Sequence, residues 1–267
     1  MTANFAREDL IATAHRMADA ARGETLRYFR TDHLQTENKL DQGFDPVTVA
    51  DRAAEQAMRA ILSEMRPDDA ILGEEFGTAT GTTGLTWVLD PIDGTRAYMS
   101  GTPTWGVLIA VGDDTGPKFG IIDQPWTQER FIGGFGVAEV QSNHGTFALK
   151  TRATRDLAEA TIFTTFPEVG DEVERAAFHT LAAQTRLTRY GMDCYAYALL
   201  ALGQVDLVVE AGLQSYDIRA PIAVIEAAGG IVTDWTGGTA HNGGRVIAAA
   251  NPDIHAAALK VLQQTIG

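Results

Sequence analysis

The sequence predicts a mixed α+β and α/β chain built in two halves. Three observations carry this. Before about residue 150, two amphipathic helical stretches precede a series of apolar runs of strand length separated by turn residues, the pattern of a helix pair on an antiparallel sheet. After it, strand-like and helix-like stretches alternate. No flexible linker divides the two patterns, so the halves are expected to pack closely and share one site.

In chain order, residues 7–30 read as a helix, with Leu10, Ala14, Met17, Ala18, Ala21, Leu26 and Phe29 at helical spacing. A polar stretch follows at 35–43. Val47 leads into a second helix at 51–65, which ends before Pro67. Short apolar runs at 70–73 and 86–89 read as strands, the second running directly into Asp90. Residues 105–111 and 118–122 read as neighbouring strands joined by Gly112-Asp113-Asp114-Thr115-Gly116-Pro117, and 129–133 and 146–149 extend the sheet. In the second half, 160–164, 187–190, 205–209, 231–233 and 246–250 read as strands. Residues 171–185, 195–202 and 218–228 read as helices, and Asn251-Pro252 starts the last one.

The 267-residue chain carries 21 basic and 35 acidic residues, a net charge of −14. Such a field repels nucleic-acid phosphates and anionic membranes and excludes both as partners, although the same charge also serves solubility alone. The single cysteine, Cys194, excludes an intrachain disulfide and sits in an apolar helical run, as a packed thiol does. The N-terminal helix is too polar for a signal peptide, and no apolar run approaches the roughly 20 residues that span a bilayer, so the expected location is cytoplasmic.

Four segments place acids after apolar runs: Val47-Thr48-Val49-Ala50-Asp51, Ile71-Leu72-Gly73-Glu74-Glu75, Trp87-Val88-Leu89-Asp90-Pro91-Ile92-Asp93-Gly94-Thr95, and Tyr216-Asp217. In the third, a strand delivers Asp90, Pro91 fixes the turn, and Asp93 follows close enough to face the same point. Gly94 permits a tight backbone path, and the amides after it suit a phosphate. Two acids around such a turn can wrap a hard cation, yet alone the segment reads equally as a solvated Asp-Gly turn. Glu74-Glu75 and Asp51 are weak signals alone, and Asp217 also reads as a helix N-cap. The six histidines show no zinc-like spacing, and neither a nucleophile elbow nor a P-loop is present.

Taken together, Asp45-Pro-Val-Thr-Val-Ala-Asp51, Gly73-Glu74-Glu75, Asp90-Pro-Ile-Asp93-Gly94-Thr95 and Asp217-x-x-Ala220 with Glu226-Ala-Ala-Gly229-Gly230 resemble the motifs of the inositol monophosphatase superfamily, in the same order and over nearly the whole chain. The resemblance implies a five-layered α-β-α-β-α sandwich with residues 1–150 carrying most metal ligands and 151–267 carrying Asp217 and the substrate pocket. It implies a Mg²⁺-dependent phosphomonoesterase with two or three ions per site, held by Glu74, Asp90, the Ile92 carbonyl, Asp93 and Asp217. Asp51 and Thr95, with Glu74, would orient and activate the attacking water; Asp93, Gly94 and Thr95 would bind the phosphate. A homodimer acting on a small phosphate monoester is also implied.

Within that superfamily the stretches Trp105-Gly-Val-Leu-Ile-Ala, Gly120-Ile-Ile-Asp-Gln-Pro125, Tyr190-Gly-Met-Asp193-Cys-Tyr-Ala-Tyr and Asp206-Leu-Val-Val-Glu210-Ala-Gly-Leu213 are most similar to histidinol-phosphate phosphatases. Inositol 1-phosphate or a broad range of monoesters is the alternative substrate, and a catalytically silent ligand-binding protein on the same scaffold a third reading. Asp193, Glu210 and Asp217 match substrate-contacting positions, and Asp193 reads equally as the N-cap of the helix after it.

Overall fold

The computed structural model describes residues 7–32, 34, 36–38 and 46–266. His33, Asp45 and most of the polar stretch 35–43 lie outside the described residues. The first half runs α1 (Arg7–Tyr28), β1 (Thr36–Asn38), β2 (Pro46–Thr48), α2 (Val49–Met65), β3 (Ala70–Gly73), β4 (Gly77–Ala79), β5 (Thr86–Asp93), α3 (Thr95–Ser100), β6 (Gly106–Asp113), β7 (Gly116–Gln124), β8 (Glu129–Gly134), β9 (Val137–Ser142) and β10 (Gly145–Ala148). The second runs β11 (Thr161–Thr164), α4 (Glu172–Ala182), β12 (Leu187–Tyr190), α5 (Asp193–Ala201), β13 (Leu207–Leu213), α6 (Ser215–Ala227), β14 (Ile231–Thr233), β15 (Gly244–Ala249) and α7 (Pro252–Ile266).

An eight-stranded sheet in the order β10-β9-β8-β7-β6-β5-β3-β4 and a five-stranded sheet in the order β12-β11-β13-β15-β14 form two of the layers. Alternation along the strands dictates what covers them. In β6, Val107, Ile109 and Val111 face α1 and α2, whereas Leu108 and Ala110 face the other way, onto α5 and α6. In β13, Val208 faces α5 and α6 while Leu207 and Val209 face α4 and α7. The order through the molecule is therefore α1/α2, large sheet, α5/α6, small sheet, α4/α7, the expected five-layered sandwich. Each fully buried Leu, Ile or Val contributes about 1.5–3 kcal/mol, and both sheets are apolar on both faces, so neither is stable without the helices between them.

Several elements differ from expectation, for local reasons. The turn between β6 and β7 is shorter than the turn-rich sequence suggests, because Gly112 and Gly116-Pro117 stay in the ladder around a register shift. The short elements β4, β9 and α3 have no clear periodicity in sequence. Helix α6 starts earlier than expected, so Gln214 is the N-cap and Asp217 the third helical residue. Its carboxylate accepts from the Gln214 amide at 2.6 Å, the reciprocal half of a capping box. Asp193 likewise is not an N-cap: it is the first residue of α5, preceded by Met192.

Candidate active site

Strand β5 is parallel to β3, with Leu89 opposite Gly73, so Glu74, just past the end of β3, comes beside Asp90, which is still in β5 and opposite Leu108 of β6. The Glu74 amide donates to the Leu89 carbonyl at 3.1 Å and keeps the turn against β5. A register shift between Asp90 and Asp93 then bends β5, so that Asp93 turns toward the small-sheet half. Helix α6 brings Asp217 in from that half. Asp90, Asp93 and Asp217 each present a carboxylate oxygen within 4.8 Å of the others.

Three acids this close repel by roughly 3–4 kcal/mol per pair at an effective dielectric near 20. Burial first, then the charges of Glu74, Asp93 and Asp217, push Asp90 well above the usual carboxylate range. Burial and the charge of Asp217 do the same to Asp93. Burial pushes Asp217 up to about 7 against the Gln214 amide, with Glu74 and Glu210 adding to the rise. The set offers oxygen donors only, and a divalent cation removes the repulsion, so these residues fit a hard dication.

Asp51 lies beside this cluster and divides its two oxygens between two tasks. Oδ2 accepts from the Thr48 amide at 2.8 Å and the Thr48 hydroxyl at 2.5 Å, closing the capping box of α2. Oδ1 faces the Thr95 hydroxyl at 3.4 Å, and that hydroxyl also reaches the Ile92 carbonyl at 3.2 Å. Burial pushes Asp51 up to about 6 in spite of the Thr48 bonds. That lies near the range useful to a general base.

Gly94 caps α3 with φ of 84°, a conformation that favours glycine. A Cβ there would lie 2.7 Å from Asp193 Cγ, so the position also needs to be bare. Asp193 itself has φ of 46°, and its Oδ2 accepts from the Thr104 hydroxyl at 2.9 Å. The next amide, of Cys194, donates to Asp93 Oδ2 at 2.6 Å, so the start of α5 holds a cluster acid in place. Burial, opposed by the Thr104 bond, pushes Asp193 up to about 6.

Glu210 at the end of β13 is buried, and both of its oxygens have donors. Oε1 accepts from the Thr165 amide at 2.9 Å and hydroxyl at 2.5 Å, and Oε2 from the Tyr197 hydroxyl at 2.8 Å. Asp93, Gly94, Thr95, Asp193, Glu210 and Asp217 line one cavity of about 650 Å³ between the halves. Asp51, Glu74, Asp90 and Ile92 are not among the residues that line it.

Sequence reasoning missed Glu55. In α2 it reads as a surface acid one turn before Arg59, yet it is fully buried. Its carboxylate accepts from the Glu75 amide at 2.7 Å and the Phe76 amide at 3.2 Å, and Arg59 Nε donates to it at 2.7 Å. Gly73 makes room: a Cβ there would sit 2.0 Å from Glu55 Oε1. Glu55 thus holds the turn that carries Glu74.

Comparison with known proteins gives this arrangement a family. The model of the inositol monophosphatase family matches residues 6–266. The bifunctional phosphatase IMPL2 of Arabidopsis thaliana is 40% identical over 94% of this chain and 74% of its own. A histidinol-phosphatase of Streptomyces coelicolor is 33% identical over 96% of this chain and 97% of its own. Among solved structures, an inositol monophosphatase from Zymomonas mobilis superposes with a TM-score of 0.84 at 41% identity, over 97% of this chain and 99% of its own. Family match, relatives and fold agree that this chain belongs to the inositol monophosphatase family of metal-dependent phosphatases.

Proposed function

We propose that the protein is a Mg²⁺-dependent histidinol-phosphatase, which hydrolyses histidinol phosphate to histidinol and phosphate and so serves amino-acid biosynthesis. The convergence of Asp90, Asp93 and Asp217 beside the Thr95–Asp51 pair carries the phosphatase reading. The similarity to IMPL2 and to the histidinol-phosphatase supports the substrate, as does an acid-lined cavity suited to an amine and an imidazole. Inositol 1-phosphate is the alternative, favoured by the likeness to the Zymomonas enzyme. The assembly in this reading is a homodimer.

In this reading Glu74, Asp90, the Ile92 carbonyl, Asp93 and Asp217 hold two or three Mg²⁺ ions. Bound there, Mg²⁺ supplies charge neutralisation for the ester and lowers the pKa of a coordinated water. Thr95 would present its hydroxyl to the attacking water, and Asp51 Oδ1, 3.4 Å from that hydroxyl, would take the proton through it. The amides of Gly94 and Thr95 bind the phosphate oxygens, a fixed positive end on the short helix α3. Asp193, Glu210 and Asp217 face the alcohol.

Three expected outcomes bear on these roles. The first concerns specificity. Glu210→Gln places an amide NH₂ against the Thr165 or Tyr197 donors and removes a charge. The ratio of kcat/KM for histidinol phosphate over inositol 1-phosphate is expected to be well above one in the wild type and to fall about tenfold or more in the variant. A wild-type ratio below one, or equal loss on both esters, contradicts the substrate assignment or the role of Glu210 respectively.

The second concerns the turn under Glu74. Glu55→Gln is expected to raise the Mg²⁺ concentration for half-maximal activity by about 10–100-fold, as loss of a ligand-orienting partner does. An unchanged Mg²⁺ dependence would leave Glu55 a purely structural group.

The third concerns pH. Asp90, Asp93 and Asp217 are raised above their unfolded values, so the stability they provide is full below about pH 4 and is lost as pH rises through the folded values, about 7 for Asp217. The Tm of metal-free protein should fall as pH rises from about 4 through about 7. Mg²⁺ at a hundredfold excess over its Kd is expected to restore about 2.7 kcal/mol, or about 5–10 °C at neutral pH, and less at pH 5 where the acids are protonated. A Mg²⁺-induced gain that is the same at both pH values contradicts the assignment of these acids.

A further inference from the structure

The cavity extends well past the residues that face the phosphate. Its far wall is the connection from β11 to α4, where Thr165, Phe166, Glu168, Val169 and Gly170 line it. This connection is pinned along its length. Glu210 holds the Thr165 amide and hydroxyl. His179 Nε2 pairs with the Pro167 carbonyl at 3.1 Å, and the Val169 amide donates to the Phe166 carbonyl at 3.2 Å. Val169 is buried in the core below. The wall is therefore a set surface, and what it presents to the cavity is fixed by the fold.

It presents two unusual groups. Phe166 is 46% exposed, a large apolar ring left wet inside a cleft. The Arg96 guanidinium stands 5.0 Å from its centroid, so the ring already receives a cation on the protein's own account. Glu168, two residues on, is exposed and has no hydrogen bond or ion pair with any described residue. The other alcohol-facing acids differ from it. Glu210 has donors on both oxygens, and Asp193 is engaged by Thr104 and by the charge of Arg96. Glu168 is the acid of this wall with its full capacity left for a ligand.

We infer that Phe166 and Glu168 form the subsite for the alcohol end of the substrate, and that they select a monoester whose alcohol carries a flat aromatic ring and a cationic amine. The Phe166 ring stacks on the flat ring and Glu168 pairs with the cation. A cavity of about 650 Å³ is ample for an ester of this size. A neutral polyol gains from neither contact. The inference rests on the phosphatase reading above and sharpens its substrate.

The test compares kcat/KM for histidinol phosphate and for glycerol 2-phosphate, an ester with a small uncharged alcohol, in wild type, Phe166→Leu and Glu168→Gln. Leucine keeps apolar bulk without the ring, and glutamine keeps shape without the charge. Both positions are exposed, so both variants should fold. The wild type is expected to prefer histidinol phosphate, and each variant to lose at least fivefold of that preference, chiefly through KM. A wild-type preference that survives both substitutions within twofold overturns this subsite alone. Equal kcat/KM for the two esters in the wild type overturns the histidinol assignment, and the subsite with it.

Discussion

Asp93→Asn is expected to lower kcat by about 10³ or more while leaving the fold intact. The residue takes part in two separate things. It is one of three carboxylates within 4.8 Å of one another, and its Oδ2 accepts the Cys194 amide at 2.6 Å. Asparagine keeps an oxygen for that amide but removes one negative charge from the cluster. The metal-free variant should therefore be as stable as the wild type, or more so, because like-charge repulsion is relieved. The Mg²⁺-induced gain in Tm should shrink together with turnover. Near-normal turnover, or a full Mg²⁺-induced gain, would remove Asp93 from the metal site.

The second large effect is expected at Asp51, where one carboxylate serves both fold and chemistry. Asp51→Asn can keep an acceptor oxygen toward the Thr48 amide and hydroxyl, so the cap on α2 survives, but it cannot take a proton from the Thr95 side. A loss of about 10²–10⁴ in kcat is expected, the usual contribution of a general base, with Mg²⁺ binding retained. Asp51→Ala should show the same loss in kcat and in addition lose about 1 kcal/mol of stability with the cap. Thr95→Ser should stay close to wild type and Thr95→Val should resemble Asp51→Asn, since only the hydroxyl links Asp51 to the site. If Asp51→Ala loses stability but neither variant loses turnover, Asp51 is a capping residue only.

These expectations show which parts of the site can be read from sequence. Local sequence puts Asp90 and Asp93 around one bend, through an apolar strand, a proline and a glycine, but alone that segment reads equally as a solvated turn, and only the four motifs together single it out. Asp217 was legible as a helix-start acid, one position class off. The N-cap reading failed because Ser215 and Tyr216 already belong to α6, and periodicity does not fix a helix end to within two residues.

Glu55 was not legible. Its spacing to Arg59 is that of an exposed ion pair, and only the approach of the turn after Gly73 turns it into a buried anchor. Asp193 was half legible. Its place at the start of α5 could be read, but its φ of 46° and its bond to Thr104, 89 residues earlier in the chain, arise from the two halves meeting. Phe166 and Glu168 carry no periodic or motif signal, because a pocket wall made by a connection has none. The five-layered order was legible mainly through the family motifs. Alternation in β5, β6 and β13 agrees with it, but which helix covers which face is settled by contacts between distant segments.

In the proposed function, this acid-lined junction hydrolyses a phosphate monoester only when a divalent metal is bound. The most direct test is inorganic phosphate release from histidinol phosphate by EDTA-treated protein, titrated with Mg²⁺ at neutral pH. No release is expected without metal, and a saturable return of activity is expected as Mg²⁺ is added. Release that is indifferent to EDTA, or none at any Mg²⁺ concentration from histidinol phosphate, inositol 1-phosphate or glycerol 2-phosphate, would contradict that function.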